Sequence, residues 1–243
     1  MRPFRFFFPY GPWRNLVRLW LRVIRSQPDE RKAMRQLLEV YADAYYAVDR
    51  GAIDYEGGVH VKHRLTAYHD FFVGNVEAGE RVLDIGCGKG ELAYDLAERA
   101  EAEVVAIDRA RWALDFARER FPHSRVTYVE SDALAYRDDA PFDVAILSNV
   151  LEHVGPRVEL LRSLRERSGV RRLLIRVPAI DRDWVVPLRQ ELGLDHFSDP
   201  EHEIEYTPDL LRTELAEAGW SMGEPTLTWG EIWVVATPAS AGQ

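Results

Sequence analysis

The chain has 243 residues, a length that suits one α/β domain with an appendage and a full hydrophobic core. Its net charge of −9 is unevenly spread: residues 1–28 hold six arginines and no acid, which leaves 25 basic against 40 acidic residues, or −15, for the rest. So acidic a body disfavours nucleic acid as a partner, since neutralising phosphates needs a basic footprint. The single cysteine, Cys87, excludes an internal disulfide and a cysteine-rich zinc site, and agrees with a reducing cytoplasm.

In chain order, residues 1–28 form a basic aromatic arm in which Phe4, Phe6, Phe7, Phe8, Trp13 and Trp20 alternate with arginines. Arg14, Arg18, Arg22 and Arg25 fall on one helical stripe and Leu16, Val17, Leu19, Trp20, Val23 and Ile24 fill much of the rest, the pattern of an amphipathic helix lying in a membrane interface. Its longest uncharged run, FFFPYGPW, is eight residues, against ~20 for a membrane span, and no small-residue cleavage site follows as in a secretory signal. Two partners remain open for it: an anionic membrane surface at the inner face, or protein, whether the acidic body of this chain or another subunit.

Residues 29–75 read as a helical cap, with a helix at RKAMRQLLEVYADAYYAV, a glycine-broken loop at GAIDYEGG (51–58) and one further helix at VKHRLTAYHDFFVGNV (61–76). Beyond it, residues 76–238 alternate strands near 81–85, 103–107, 126–130, 142–148, 170–177, 222–228 and 231–237 with helices at 90–100, 110–120, 156–167 and 207–219. That alternation predicts an α/β fold with a doubly wound, mostly parallel seven-stranded sheet. TLTW and IWVVAT are joined by a turn too short for a crossover, so the last strand must run antiparallel. An insertion at about 177–207 follows the fifth strand and has the place of a lid, wandering without a helix of its own. PASAGQ ends the chain as a loose tail.

The chemistry concentrates at VLDIGCGKGE, residues 82–91, where a buried strand ends on Asp84, turns through Gly86, Gly88 and Gly90, and enters a helix. A dinucleotide fingerprint, G-x-G-x-x-G, would need a glycine at position 91, which is Glu91. A carboxylate in the first helical turn repels a pyrophosphate and tolerates a cationic ligand. Asp108 follows Asp84 by 24 residues at the end of EVVAID, Asp132 closes VTYVESD, and FDVAILSNVLEHV supplies a fourth strand.

This run resembles the class I S-adenosylmethionine (SAM)-dependent methyltransferase family of small-molecule and lipid type, with Asp84 to Gly90 standing where its first motif stands. The resemblance covers about residues 60–237 and implies a Rossmann-like sheet and SAM as cofactor. Ligands in such sheets lie outside the carboxyl ends of the strands, which gives Asp84 the ammonium group, the backbone of Gly86, Cys87, Gly88 and Gly90 the methionine moiety and ribose, and Asp108, with Arg109 beside it, the ribose hydroxyls. Asp132 and Ala133 are expected at the adenine, and Ser148 and Asn149 beneath the reactive methyl.

For the acceptor side, SNVLEHV resembles the fourth-strand motif of small-molecule methyltransferases and lacks the N-P-P-aromatic tetrad of those acting on nucleic-acid amines. His153, which follows Glu152 there, and His196 and His202 of the insertion are the candidate catalytic bases. Tyr55, His60, His63 and His69 of the cap, Arg182, Trp184, Arg189, Glu203, Glu205 and Tyr206 of the insertion, and Trp229 and Glu231 of the last turn are further candidates for contacts. His196, Asp199, His202 and Glu205 match no established metal spacing, so no metal is expected. The expected activity is O-methylation of a small or lipid-linked acceptor, saccharides included. The alternative is a non-catalytic subunit binding SAM or a nucleoside, docked to a membrane or protein partner.

Overall fold

Five short apolar runs pair side by side as the parallel part of one sheet: β1 (Arg81–Ile85), β2 (Glu103–Asp108), β3 (Val126–Glu130), β4 (Val144–Ser148) and β5 (Arg172–Pro178). The computed structural model describes residues 10–166 and 168–240. β6 (Trp220–Met222), β7 (Thr226–Thr228) and β8 (Glu231–Pro238) complete the sheet, in the order β3-β2-β1-β4-β5-β8-β6 with β7 also on β8, and β8 runs antiparallel to β5. Phe4, Phe6, Phe7 and Phe8 of the arm, and residues 241–243 of the tail, lie outside the described residues.

Nine α-helices are described: α1 (Tyr10–Arg25), α2 (Glu30–Tyr55), α3 (Lys62–Thr66), α4 (Tyr68–Val73), α5 (Glu91–Arg99), α6 (Arg111–Arg120), α7 (Arg157–Glu166), α8 (Val185–Glu191) and α9 (Pro208–Glu217). Strand residues alternate between two cores, as a doubly covered sheet requires. Leu83, Ala145, Leu147, Leu173 and Ile175 face Leu160, Leu164, Leu211 and Leu215 of α7 and α9. Val82, Val144, Ile146 and Leu174 face Leu92, Ala93 and Leu96 of α5 and Phe72 of α4.

The chain divides into two compact units, Lys62–Val186 with Phe197–Gln243 carrying the sheet, and Met1–Val61 with Pro187–His196. In the second unit Asp29 caps α2 by accepting the Lys32 N–H at 2.9 Å, Ile24, Ala33 and Leu38 are buried, and Arg31 and Arg35 donate to the carbonyls of Glu191 and Leu192.

Four sequence expectations are corrected. The cap's first helix does not break at Gly51 but continues to Tyr55, because a helical glycine costs only ~1 kcal/mol, and the break falls at Gly57 and Gly58, with φ of 73° and 109°. Residues 61–76 form not one helix but two, divided at Ala67, whose φ is 49°. The insertion holds a helix of its own, α8, started by Asp183, which accepts the Val185 N–H at 2.7 Å. The predicted strand at 222–228 is two: Met222 sits opposite Ala236 and Thr226 opposite Trp233, so one extra residue is accommodated as a bulge around Gly223 and Pro225 and the expected seven strands become eight.

Candidate functional site

β1 and β4 are neighbours, Ile85 opposite Leu147, and the strand order runs outward from them in both directions. Their carboxyl ends therefore flank the point where the winding reverses, the place where such sheets leave a crevice. Two cavities open there. One of about 220 Å³ is lined by Lys62, His63, Tyr68, Asp84, Cys87 and Arg176, among others. The other, about 650 Å³, is lined by Asp108, Arg109, Asp132, Ala133, Val150 and His153, among others. Gly86 and Asn149 border both, so the two form one cleft around the end of β1.

The glycine loop is built from within. Gly86 and Cys87 donate their N–H groups to the Ile107 carbonyl at 2.8 and 3.0 Å, Gly88 donates to Asp108 Oδ2 at 2.8 Å, and Gly90 to the Cys87 carbonyl at 3.0 Å. All three glycines have positive φ, and a Cβ at Gly86 would lie 2.7 Å from Val150 Cγ2, whereas one at Gly88 would meet no atom within 4 Å. A ligand at Gly86, Cys87, Gly88 and Gly90 thus meets close-lying backbone whose amides are already engaged, unlike a phosphate cradle. The expectation that these residues' backbone groups contact a ligand therefore narrows to their Cα and carbonyl atoms. Glu91, at the first position of α5, also lines the smaller cavity, and burial raises its carboxyl above the usual range.

The acids differ in what they lack. Asp84 is 2% exposed, its Oδ2 has no partner, and burial, helped by the nearby charge of Asp108, lifts its pKa to about 8. A donor or cation in the smaller cavity would satisfy it. Asp108 accepts the Gly88 N–H with one oxygen and the Ala110 N–H, at 2.7 Å, with the other, which fixes the carboxylate in the larger cavity with lone pairs to spare. Asp132 accepts the Leu134 N–H at 2.8 Å and stands 3.9 Å from the Arg109 guanidinium, both at the cavity rim.

At the end of β4, Arg176 donates to Ser148 Oγ at 3.3 Å, and Asn149 takes φ 56°, a strained conformation for a residue with a side chain, with its Oδ1 buried and unpartnered. Glu152 is fully buried with neither oxygen partnered, and burial pushes its pKa up to about 7. His153 packs edge-on to His202, ring centroids 4.7 Å apart, and Glu152, His153 and His202 bring ligand-type atoms within 4.8 Å of one another. This is a different group from the one the sequence spacing suggested. Glu205 spends its buried carboxylate on Arg182, on the Ser198 N–H and hydroxyl, and on His202 at 3.0 Å, so it anchors the insertion.

Other candidates scatter. His196 and Arg189 belong to the helical unit, where Arg189 donates to the Asp195 carbonyl at 2.6 Å. His60 pairs with Asp49 at 2.9 Å in the same unit, and Tyr55 is 80% exposed. Tyr206 is buried in the core, its hydroxyl donating to Glu214 at 2.9 Å. Trp184 and Trp229 are exposed, Glu203 lines the larger cavity, and Glu231 forks onto Arg176 at 2.7 and 2.5 Å. Sequence reasoning missed Arg176, whose guanidinium lies 3.8 Å from the Tyr68 ring centre and which lines the smaller cavity. The signal was there: a lone charge inside the apolar run RLLIRVP.

Residues 82–168 match the methyltransferase-domain family. The chain is 31% identical over 140 residues to a ubiquinone biosynthesis O-methyltransferase of Neisseria meningitidis serogroup A, covering 50% of this chain and 59% of that protein. It is 30% identical over 125 residues to the mitochondrial ubiquinone biosynthesis O-methyltransferase of Schizosaccharomyces pombe, covering 47% of this chain and 45% of that one. The chain thus spans about half the length of the curated relatives it matches. Among solved structures, the Burkholderia thailandensis 1,6-didemethyltoxoflavin-N1-methyltransferase with bound 1,6-didemethyltoxoflavin and S-adenosylhomocysteine superposes with a TM-score of 0.54 at 18% identity, over 85% of this chain and 90% of that chain.

Proposed function

We propose that this chain, a class I methyltransferase by motif and fold, binds SAM along the cleft and methylates an oxygen of a small-molecule acceptor. The observation that carries the cofactor half is Asp84: a buried, unpartnered carboxylate beside a loop whose Gly86, Cys87, Gly88 and Gly90 amides are engaged suits a ligand with a cation and no phosphate. In this reading Asp84 holds the ammonium group, Asp108 the ribose diol, and Asp132 with Ala133 the adenine edge, which matches the division of the cleft into a smaller and a larger cavity. When bound, SAM supplies an electrophilic methyl on a sulfonium. The protein's work is then to align an acceptor oxygen and manage its proton. O-methylation is favoured over other acceptor atoms by the relatives matched at 30–31% identity. Calorimetry with S-adenosylhomocysteine, followed by methyl transfer to a panel of hydroxyl acceptors, tests the reading. Tight binding without transfer to any acceptor would favour the non-catalytic alternative.

The reading extends to the arm. Arg14, Arg18, Arg22 and Arg25 of α1 are all exposed, as are Trp13, Leu16, Val17, Leu19, Trp20 and Val23. Both support reversible contact with an anionic membrane surface. Among the described residues no helix is long and apolar enough to cross a membrane.

A further inference from the structure

We infer that Glu152, His153 and His202 form a binding site for a divalent transition-metal ion such as Zn2+, and that the ion clasps the insertion after β5 to the carboxyl end of β4. None of the three is among the groups assigned to SAM above, so the ion binds whether or not the cofactor does. Glu152 and His153 belong to the short 3-10 turn Leu151–His153 that follows β4, and His202 comes from the insertion. One ligand-type atom from each lies within 4.8 Å of the other two. Around an ion with bonds of about 2.0–2.2 Å, neighbouring ligand atoms stand ~3–3.5 Å apart, so the group has to close by no more than ~2 Å, a matter of side-chain rotation.

Glu152 is the strongest sign. A carboxylate with no exposed surface and neither oxygen partnered is costly unless a cation completes it. The two imidazoles are set to help. His153 Nδ1 lies 3.3 Å from the Glu201 carbonyl, and His202 Nδ1 lies 3.0 Å from Glu205 Oε1. A carbonyl only accepts, and the Glu205 carboxylate already accepts from Arg182 and from the Ser198 N–H, so each Nδ1 is the donor. The lone pair of each neutral ring then sits on Nε2, the atom that ligates, and an Nδ1–H held by a carbonyl or carboxylate is the usual support of a metal-bound histidine. The His202 side chain is 6% exposed, and the Glu203 N–H donates to the Glu152 carbonyl at 2.8 Å, which already seats this part of the insertion beside the turn.

Two imidazoles with one carboxylate suit Zn2+ or a similar transition ion over Mg2+ and Ca2+, which prefer oxygen ligands alone. Three protein ligands leave a position open, and because His153 lines the larger cavity, water or an oxygen donor bound in that cavity can fill it. The sequence expectation of no metal rests on the spacing of His196, Asp199, His202 and Glu205, of which only His202 enters this site.

The test is equilibrium dialysis of the full chain, first stripped with a chelator, against Zn2+ without cofactor. The expected result is one ion per chain, an X-ray absorption spectrum that counts two imidazoles on it, and slower amide hydrogen exchange over residues 197–206 once it is bound. Glu152→Gln keeps the side chain's volume and removes its buried charge, so this variant should unfold as cooperatively as the unaltered protein. Its Zn2+ affinity, and that of His202→Ala, should nonetheless fall by more than ~100-fold, beyond the loss typical of an outer partner. No bound Zn2+ in the unaltered protein, or an affinity that both variants retain, would overturn the site. Mg2+ binding as tightly as Zn2+ would overturn the choice of ion, and Zn2+ binding that leaves exchange in residues 197–206 unchanged would overturn the clasp.

Discussion

Asp84 and Asp108 both end strands, yet they answer different perturbations. Asp108 is held by two backbone N–H donors and keeps lone pairs for a diol, so Asp108→Ala should weaken SAM binding by ~1–3 kcal/mol in a folded protein, as calorimetry would read directly. Asp84 behaves as a proton switch. Its folded pKa of about 8 lies above the ordinary 3.8, so ligand-free stability is greatest below the lower value and declines as pH rises through the upper one. An ammonium ligand favours the ionised form and so must displace the proton. Binding near neutral pH should therefore release a proton, visible as a dependence of the calorimetric heat on buffer ionisation enthalpy, and affinity should rise as pH approaches 8. Asp84→Asn should abolish the release. At the loop, Gly86→Val faces both a positive φ and a collision with Val150, whereas Gly88→Ala carries the backbone strain into open space. The second variant should therefore stay folded while binding SAM more weakly, and equal affinity would show that the ligand does not pass Gly88.

The elements nearest the glycine loop were legible because their periodicity is unambiguous. Buried strands of four or five apolar residues ended by an acid, followed by amphipathic helices, leave few alternatives, and the antiparallel last strand followed from the shortness of one turn. What the sequence hid were contacts set by tertiary neighbours. Asp95 is one of several acids on α5, and nothing in ELAYDLAER marks it as the partner of a histidine 26 residues earlier. Nor does VPAIDRDW announce that Glu205 will gather Arg182, Ser198 and His202 into an anchor. For the arm, the test belongs to the element as a whole. Vesicle sedimentation should show the full chain on anionic lipid at low salt, with release at high salt, and removal of residues 1–28 should abolish this while leaving SAM affinity intact. Equal sedimentation of both forms would assign α1 to a protein partner.

Across the whole molecule, the cleft joins residues from β1, β2, β4 and β5 with α3, α4 and the segment after β3, so one ligand ties together parts of the sheet unit far apart in sequence. Saturating S-adenosylhomocysteine, at 100 times its Kd, should add about 2.7 kcal/mol to the folded state, which for a chain of this size is ~5–10 °C in thermal midpoint. A differential scanning measurement with no shift would show that S-adenosylhomocysteine does not bind the folded chain. The internally bonded glycine loop carries a kinetic corollary. With its amides already engaged by Ile107, Asp108 and Cys87, the loop has little ordering entropy left to lose, so association should run without a slow folding-over step and approach a simple encounter rate. Amide hydrogen exchange at Gly86, Cys87 and Gly88 should accordingly be slow before ligand arrives and change little after.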